Sequence, residues 1–161
     1  MGKFSDAVAK GRESAKEERQ KKKHRDEADR ARRLAGVAAA LAWIDQVVYG
    51  AVQTANADLK GDELVVNCDG RPTDVGAEVT LTISKFDMPR LTLIGQSKKP
   101  KSIAFKVSAA GLVCMHLDDG SKAQELGILS EVTPDKIEAL LVTMLTEIGR
   151  DLGSLQAVEA A

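Results

Sequence analysis

The feature that most constrains this chain is an abrupt change of polarity between Arg33 and Leu34, inside a segment that reads as one helix. The residues before the step are almost all charged, as in the run KEERQKKKHRDE from Lys16 to Glu27. The residues after it, LAGVAAALAWI from Leu34 to Ile44, are apolar on nearly every side of a helix. A helix that is polar all round lies in solvent or on a partner, whereas an apolar one must be buried. The sequence therefore predicts one helix that is half projecting arm and half core.

Length and composition set the domain organisation. A chain of 161 residues with 43% hydrophobic and 29% charged residues fits one soluble domain with its own core. We divide it into a charged helical arm (1–33), a single α+β domain (34–153) and a flexible tail (154–161). Aromatic residues make up 3% of the chain, so the core must be aliphatic. Nucleic-acid modules that stack bases on exposed aromatic rings are disfavoured for the same reason.

The pattern along the chain predicts an α+β fold: a long N-terminal helix, an antiparallel β-meander of about five strands, and a C-terminal amphipathic helix packed on one sheet face. Proline is absent from residue 5 to residue 58, which favours one continuous helix. The segment 69–76 has the composition of a turn. Alternation of apolar and polar residues predicts the strands 63–68, 79–84, 91–94, 103–107 and 112–117.

The most specific local prediction concerns the hairpin between the last two of these strands. Residues 109–111 fit a three-residue loop with Gly111 in the left-handed conformation. A two-residue loop would instead turn Cys114 and His116 inward, because side chains alternate between the two faces of a strand. The three-residue loop, which we prefer, leaves those two on the outer face with Lys106. It places three apolar pairs on the core face: Val107 with Val113, Phe105 with Met115, and Ile103 with Leu117.

Two helices are predicted after the sheet. Ser121 can cap a short helix over 122–126, which Gly127 can end. Thr133 and Pro134 then begin a longer helix, as its cap and its first helical residue. We expect this second helix to end near Gly149 or Gly153. Its apolar residues recur at helical spacing and form one stripe: Ile137, Leu140, Leu141, Met144, Leu145, Ile148 and Leu152.

The helix over 34–59 offers two apolar faces, and one small sheet can cover only one of them. Trp43, Val47 and Ala51 lie off the main stripe, so we expect a partner helix on their face. That partner is either the C-terminal helix or a symmetry mate, and we predict a homo-oligomer with Trp43 and Val47 as contact residues. The main stripe, which we expect to face the sheet or another helix, comprises Leu34, Ala38, Leu41, Ile44, Val48, Val52, Ala55 and Leu59.

Charge is unevenly distributed along the chain. Residues 1–33 carry 12 basic and 7 acidic side chains, a net charge of +5, whereas the remainder carries 11 basic and 17 acidic ones, a net −6. A basic arm on an acidic body is suited to nucleic acid or to an acidic partner, including another copy of the chain. Because acidic residues are interspersed in the arm, it differs from a dedicated DNA-binding segment. The residues suited to phosphate contacts are Arg19, Lys21, Lys22, Lys23, Arg25, Lys98, Lys99 and Lys101.

Motifs of catalysis and cofactor binding are missing from the sequence, including GxGxxG, the P-loop, HExxH and GxSxG. His116 and Asp118 would share a strand face, as a metal-binding or acid–base pair does, but no third ligand is visible nearby. Cys68 and Cys114 form no CxxC motif, and the N-terminus lacks the apolar segment of a signal peptide. We therefore expect two reduced thiols in a cytoplasmic protein. We therefore expect no enzyme activity, no metal and no cofactor.

The segment 34–52 is long enough to span a membrane, with Asp45 as its one charge. Its apolarity comes mostly from alanine, too little to offset the roughly 2.5–3.5 kcal/mol that a central Asp costs on insertion. We expect a buried helix and no membrane partner. The function that we favour is non-catalytic protein–protein binding or assembly through the arm and the apolar helix face. The alternative is a nucleic-acid-binding protein that contacts phosphates through the arm and the loop 98–101.

Overall fold

The polarity step lies within one continuous helical segment, from Lys3 to Gly61, in a computed structural model of the chain. The structure describes residues 2–85, 102–117 and 122–160, the last ten of them as backbone only. At 1.5 Å per residue the helical segment is about 90 Å long. Its parts are α1 (Lys3–Trp43), a π-helical segment (Ile44–Val48), α2 (Tyr49–Asp58) and a 3₁₀ turn (Leu59–Gly61).

The π-helical segment was not predicted. The backbone N–H of Tyr49 donates to the carbonyl oxygen of Ile44, five residues back, which is the hydrogen bond of a π turn. A π turn contains more residues than an α turn. Residues four positions apart along this part of the chain therefore lie on the same side of the helical segment. Four core residues of the helical segment have this spacing: Ala40, Ile44, Val48 and Val52.

Within the described residues, five antiparallel strands follow in the order β1-β2-β3-β4-β5, which confirms the α+β fold and the meander. The strands are β1 (Leu64–Thr73), β2 (Gly76–Lys85), β3 (Ser102–Ser108), β4 (Leu112–Leu117) and β5 (Gln124–Ile128). The helical segment lies against one face of this sheet, which it contacts on β1, β2 and β3. The strand predicted at 91–94, the loop 98–101, Asp118 and Ser121 lie outside the described residues.

The hairpin register is confirmed at every predicted pair. Val107 lies opposite Val113, Phe105 opposite Met115 and Ile103 opposite Leu117. Gly111 has a φ of 88°, the left-handed conformation that the three-residue loop requires. Five of the six residues are buried, with Phe105 and Val113 fully so, whereas Leu117 at the end of the row is 38% exposed.

The segment 69–76 is not the turn that its composition indicated. Strand β1 continues to Thr73, paired residue by residue with β2, and the turn is confined to residues 74 and 75. Pro72 is accommodated because β1 is an edge strand, where a missing N–H breaks no ladder on the outer side. Pairing with β2 has overridden the local preference of these residues for a turn.

The prediction of a short helix over 122–126 was wrong, because residues 124–126 belong to the edge strand β5. The backbone of β5 pairs with β4, from Gln124 opposite Met115 to Ile128 opposite Leu112. Gly127 has a φ of 124° and lies where the register shifts, so it forms a bulge and does not end a helix. Gly127 does adopt a backbone conformation that favours glycine, but it does so within a strand and not at the end of a helix.

The C-terminal helix, α3 (Pro134–Ala160), begins as predicted. The carbonyl oxygen of Thr133 accepts hydrogen bonds from the backbone N–H groups of Lys136 and Ile137, at 3.1 and 3.3 Å. The helix continues beyond Gly149 and Gly153, so its predicted end was wrong: a glycine costs a helix only about 1 kcal/mol. Helix α3 packs against α2 and the π-helical segment. Among its side chains that the structure describes, four are buried in the core: Ile137, Leu141, Met144 and Ile148.

Candidate functional site

The arm is exposed at every residue that the structure describes, and this exposure extends from Gly2 to Ala35. Ion pairs within it are long and solvated, for example Lys23–Glu27 at 3.9 Å and Arg32–Asp29 at 4.0 Å. Exposed pairs of this kind contribute between 0 and about 1 kcal/mol each. The arm is therefore a helix that projects from the body without being needed for its core.

Removal of Met1–Arg25 is expected to leave the free energy of unfolding within about 1 kcal/mol of the full chain. The side chains of residues 2–25 are exposed, and burial supplies most of the stability of a helix in a protein. Urea denaturation of the two chains, followed by circular dichroism, measures the difference. A truncated protein that no longer unfolds cooperatively would contradict this expectation.

The basic residues proposed for phosphate contacts are distributed around the arm. Lys21, Lys22 and Lys23 are consecutive, so they point in three directions about 100° apart. One side of the arm does collect Arg19, Lys22, Lys23 and Arg30, but Asp26 and Glu27 lie among them. Lys98, Lys99 and Lys101, which were expected to join them, lie outside the described residues. The described arm thus presents mixed charge on this side.

The two contact residues predicted for a second copy are used within the chain. Trp43 is only 6% exposed, and its indole N–H donates a 3.0 Å hydrogen bond to the carbonyl oxygen of Val132. Val47 is half-buried and packs against the core. Val132 and helix α3 therefore cover this side of the helical segment, for which the sequence predicted either α3 or a helix of a second copy.

A different apolar surface is left open, on the side of the helical segment that points away from the sheet. We call it the outward face. Leu34 at its centre is 62% exposed, although the sequence placed this residue and Ala38 on the buried stripe. The outward face consists of seven exposed apolar residues: Ala28, Ala31, Leu34, Ala35, Ala38, Ala39 and Ala42.

The opposite side of the same stretch is fixed to the body. Ala40 and Trp43 are buried there. A Cβ atom at Gly36 would overlap the carbonyl group of Ala109, so the helix backbone lies directly on the turn between β3 and β4. This contact holds the outward face, and the arm that extends it, in a defined direction relative to the sheet.

Cys68 and Tyr49 form a polar pair between β1 and the start of α2. Burial raises the pKa of the Cys68 thiol from about 9 to about 11, although the hydrogen bond that the Tyr49 hydroxyl donates to the sulfur acts in the opposite direction. The same proximity raises the pKa of Tyr49, mainly because the Cys68 thiolate repels a phenolate. A thiol with so high a pKa is a poor nucleophile, which indicates a structural role.

Alkylation of Cys68 by iodoacetamide is expected to be slow at pH 8 and to accelerate up to about pH 11, since the thiolate is the reactive form. Because the folded state keeps the proton between pH 9 and pH 11 while the unfolded state loses it, stability falls as pH rises through this window. Tyr49→Phe should slow alkylation further, as it removes the hydrogen bond that lowers the pKa. Peptide mass spectrometry separates Cys68 from Cys114, and titration of Cys68 near pH 9 would contradict this assignment.

His116 and Cys114 lie on the outer face of the sheet, opposite Ala104 and Lys106 of β3. Asp118, the predicted companion of His116, lies outside the described residues. In the parts of the chain that the structure describes, no three His, Cys, Asp or Glu residues lie close enough together to hold a metal ion. The helix Lys3–Gly61 includes a stretch long and apolar enough to cross a membrane, part of which is buried in the core.

No protein-family model matches this chain, and no curated protein or solved structure matches it significantly. The candidate site is defined by the exposure of its residues, and it consists of the outward face and the arm.

Proposed function

We propose that this protein is a non-catalytic protein–protein binding or assembly module, which uses the outward face and the charged arm as its contact surfaces. The observation that carries the proposal is the exposure of seven apolar residues along one side of a helix that is fixed to a folded body. Apolar residues that are contiguous on a surface and rimmed by charge are typical of protein interaction sites.

The arm supports this proposal through its position. It continues the same helix beyond the outward face, so a partner that docks on the alanines also meets charged side chains of both signs. Charges at the rim of an interface contribute to specificity and to the rate of association more than to affinity. A helix with an apolar centre and a charged extension is suited to a partner of helical shape.

The alternative, nucleic-acid binding, has weaker support. Phosphate contacts need cations that converge on one surface, whereas the described basic side of the arm includes Asp26 and Glu27. If the alternative holds, affinity for duplex DNA should fall steeply with salt. Replacement of Lys21, Lys22 and Lys23 by Gln should then reduce the log–log slope by up to about three units.

The experiment compares three purified proteins: the wild type, Ala38→Glu on the outward face, and Ala139→Glu on the exposed side of α3 as the matched control. Each is used for cross-linking and affinity capture in a lysate of the source organism, and captured proteins are then purified and tested for direct binding. We expect the wild type and Ala139→Glu to bind the same protein, cross-linked near residues 28–42, and Ala38→Glu to lose it.

The proposal fails if binding of every protein, including a second copy of the chain, is the same for Ala38→Glu as for Ala139→Glu. It also fails if the wild type forms a sequence-selective complex with duplex DNA at nanomolar concentration and about 0.15 M salt. That affinity lies well beyond the non-specific range of roughly 1–100 μM.

A further inference from the structure

We propose that the outward face binds the outward face of a second copy of this chain, with the two helices antiparallel. This inference rests on the proposed function and specifies the partner. It concerns a different surface from the one that the sequence predicted, because Trp43 is buried within the chain. Three observations carry it: the spacing of the exposed residues, their symmetry, and the distribution of charge on either side of them.

The spacing is that of a helix–helix seam. Six exposed positions of the helical segment alternate in steps of three and four residues: Ala28, Ala31, Ala35, Ala38, Ala42 and Asp45. An apolar residue every 3.5 positions on average is the pattern by which two helices pack along their length. In this repeat, Ala40 and Gly36 fall on the side away from the seam. They lie against the body, so the two bodies would stay on opposite sides of the helix pair.

The seam is self-complementary when the helices run in opposite directions. With the symmetry axis between residues 36 and 37, Ala35 of one copy faces Ala38 of the other, and Ala31 faces Ala42. The last position pairs Ala28 with Asp45. A two-fold interface requires that each residue and its counterpart exchange roles in this way. Alanines on both sides permit a short distance between the helix axes, since that distance depends on the side chains at the contact.

Asp45 is the one charged residue among residues 34–52, and it is exposed. In the antiparallel register it lies beside Ala28 of the other copy. Arg25 and Arg32, three residues before and four after Ala28, share that side of the helix. Two guanidinium groups thus flank each Asp45 carboxylate, which gives this carboxylate a complementary environment at the end of the seam.

The longer segments beyond the seam are complementary as well. In this register, residues 10–28 of one copy run beside residues 45–63 of the other. The first segment has eight basic and five acidic side chains, and the second has one basic and four acidic ones, so +3 faces −3. All charged residues in both segments are exposed. A parallel pair would instead place +3 beside +3 and −3 beside −3, so the charges select the antiparallel arrangement.

Disulfide cross-linking tests the register. Ala35→Cys and Ala38→Cys are prepared as separate proteins, one with an affinity tag, and are oxidised alone and as a mixture. We expect a covalent dimer in the mixture and little in either variant alone, because residue 35 faces residue 38 and not itself. Oxidised wild type measures the background from Cys68 and Cys114. Cross-linking of each variant with itself, or no excess over wild type in the mixture, would overturn the proposed register.

Analytical ultracentrifugation at tens of micromolar tests the pairing itself. We expect the wild type and Ala139→Glu to be dimers, and Ala38→Glu to be a monomer with at least a tenfold weaker association. A monomeric wild type would overturn this inference. If another protein then still required the outward face in the capture experiment, the proposed function would stand with a different partner. If no captured protein required the outward face, the proposed function and the proposed dimer would both fail.

Discussion

Trp43→Ala should lower the free energy of unfolding by about 3–5 kcal/mol, as truncation of a buried aromatic residue does. Trp43 is 6% exposed and its indole N–H is bonded to Val132, so the variant loses both packing and a hydrogen bond. Trp43→Phe should cost about 1–3 kcal/mol, because the buried Val132 carbonyl loses its donor. Urea denaturation followed by circular dichroism measures both changes.

Val142→Ala is the matched control for these variants. It also truncates an apolar side chain of a helix, α3, but Val142 is 62% exposed and lies outside the outward face, so we expect a change of no more than about 0.5 kcal/mol. The loss at Trp43 should be independent of protein concentration, because its partners belong to the same chain. Equal effects at Trp43 and Val142, or a loss at Trp43 that grows on dilution, would contradict the placement of these two side chains.

Gly36→Ala and Gly50→Ala should change stability in opposite directions. A new Cβ at Gly36 meets backbone atoms of Ala109 and requires the helix and the β3–β4 turn to separate, which should cost about 1–3 kcal/mol. At Gly50 nothing lies within 4 Å of the new Cβ, so the higher helix propensity of alanine should stabilise by about 0.5–1 kcal/mol.

Thermal unfolding of the two variants beside the wild type measures both signs in one experiment. Because each change is glycine to alanine within the same helical segment, propensity cancels in the comparison. What remains is the contact with Ala109. A stabilised Gly36→Ala protein would show that the helix does not lie on the turn as closely as the structure indicates.

The elements that depend on neighbouring residues were predictable from the sequence. The hairpin 107–113 follows from Gly111 and from strict alternation, and both signals are complete within about fifteen residues. The long helix follows from the absence of proline and from the charged run. The start of α3 follows from Thr133 and Pro134. In each case the local preference and the final contacts agree.

The errors arose where a distant partner decides the outcome. Residues 69–73 have turn composition but are held as strand by β2, and Gly127 fits a bulge as well as a helix end. The open face of the helix was misplaced for the same reason. Val132, 89 residues away, covers Trp43, and nothing near Trp43 in the sequence indicates it. The alternating alanines were visible, but their exposure depends on the rest of the fold.

The π-helical segment Ile44–Val48 determines how far α1 is rotated about the helix axis relative to α2. Removing one residue from it would restore an α-helix and turn everything on its N-terminal side by about 100° relative to α2 and the sheet. The outward face would then point in a different direction relative to the sheet, although no residue between Ala28 and Ala42 had changed. The direction in which this protein presents its arm is thus encoded inside the core, by one surplus residue in a single turn.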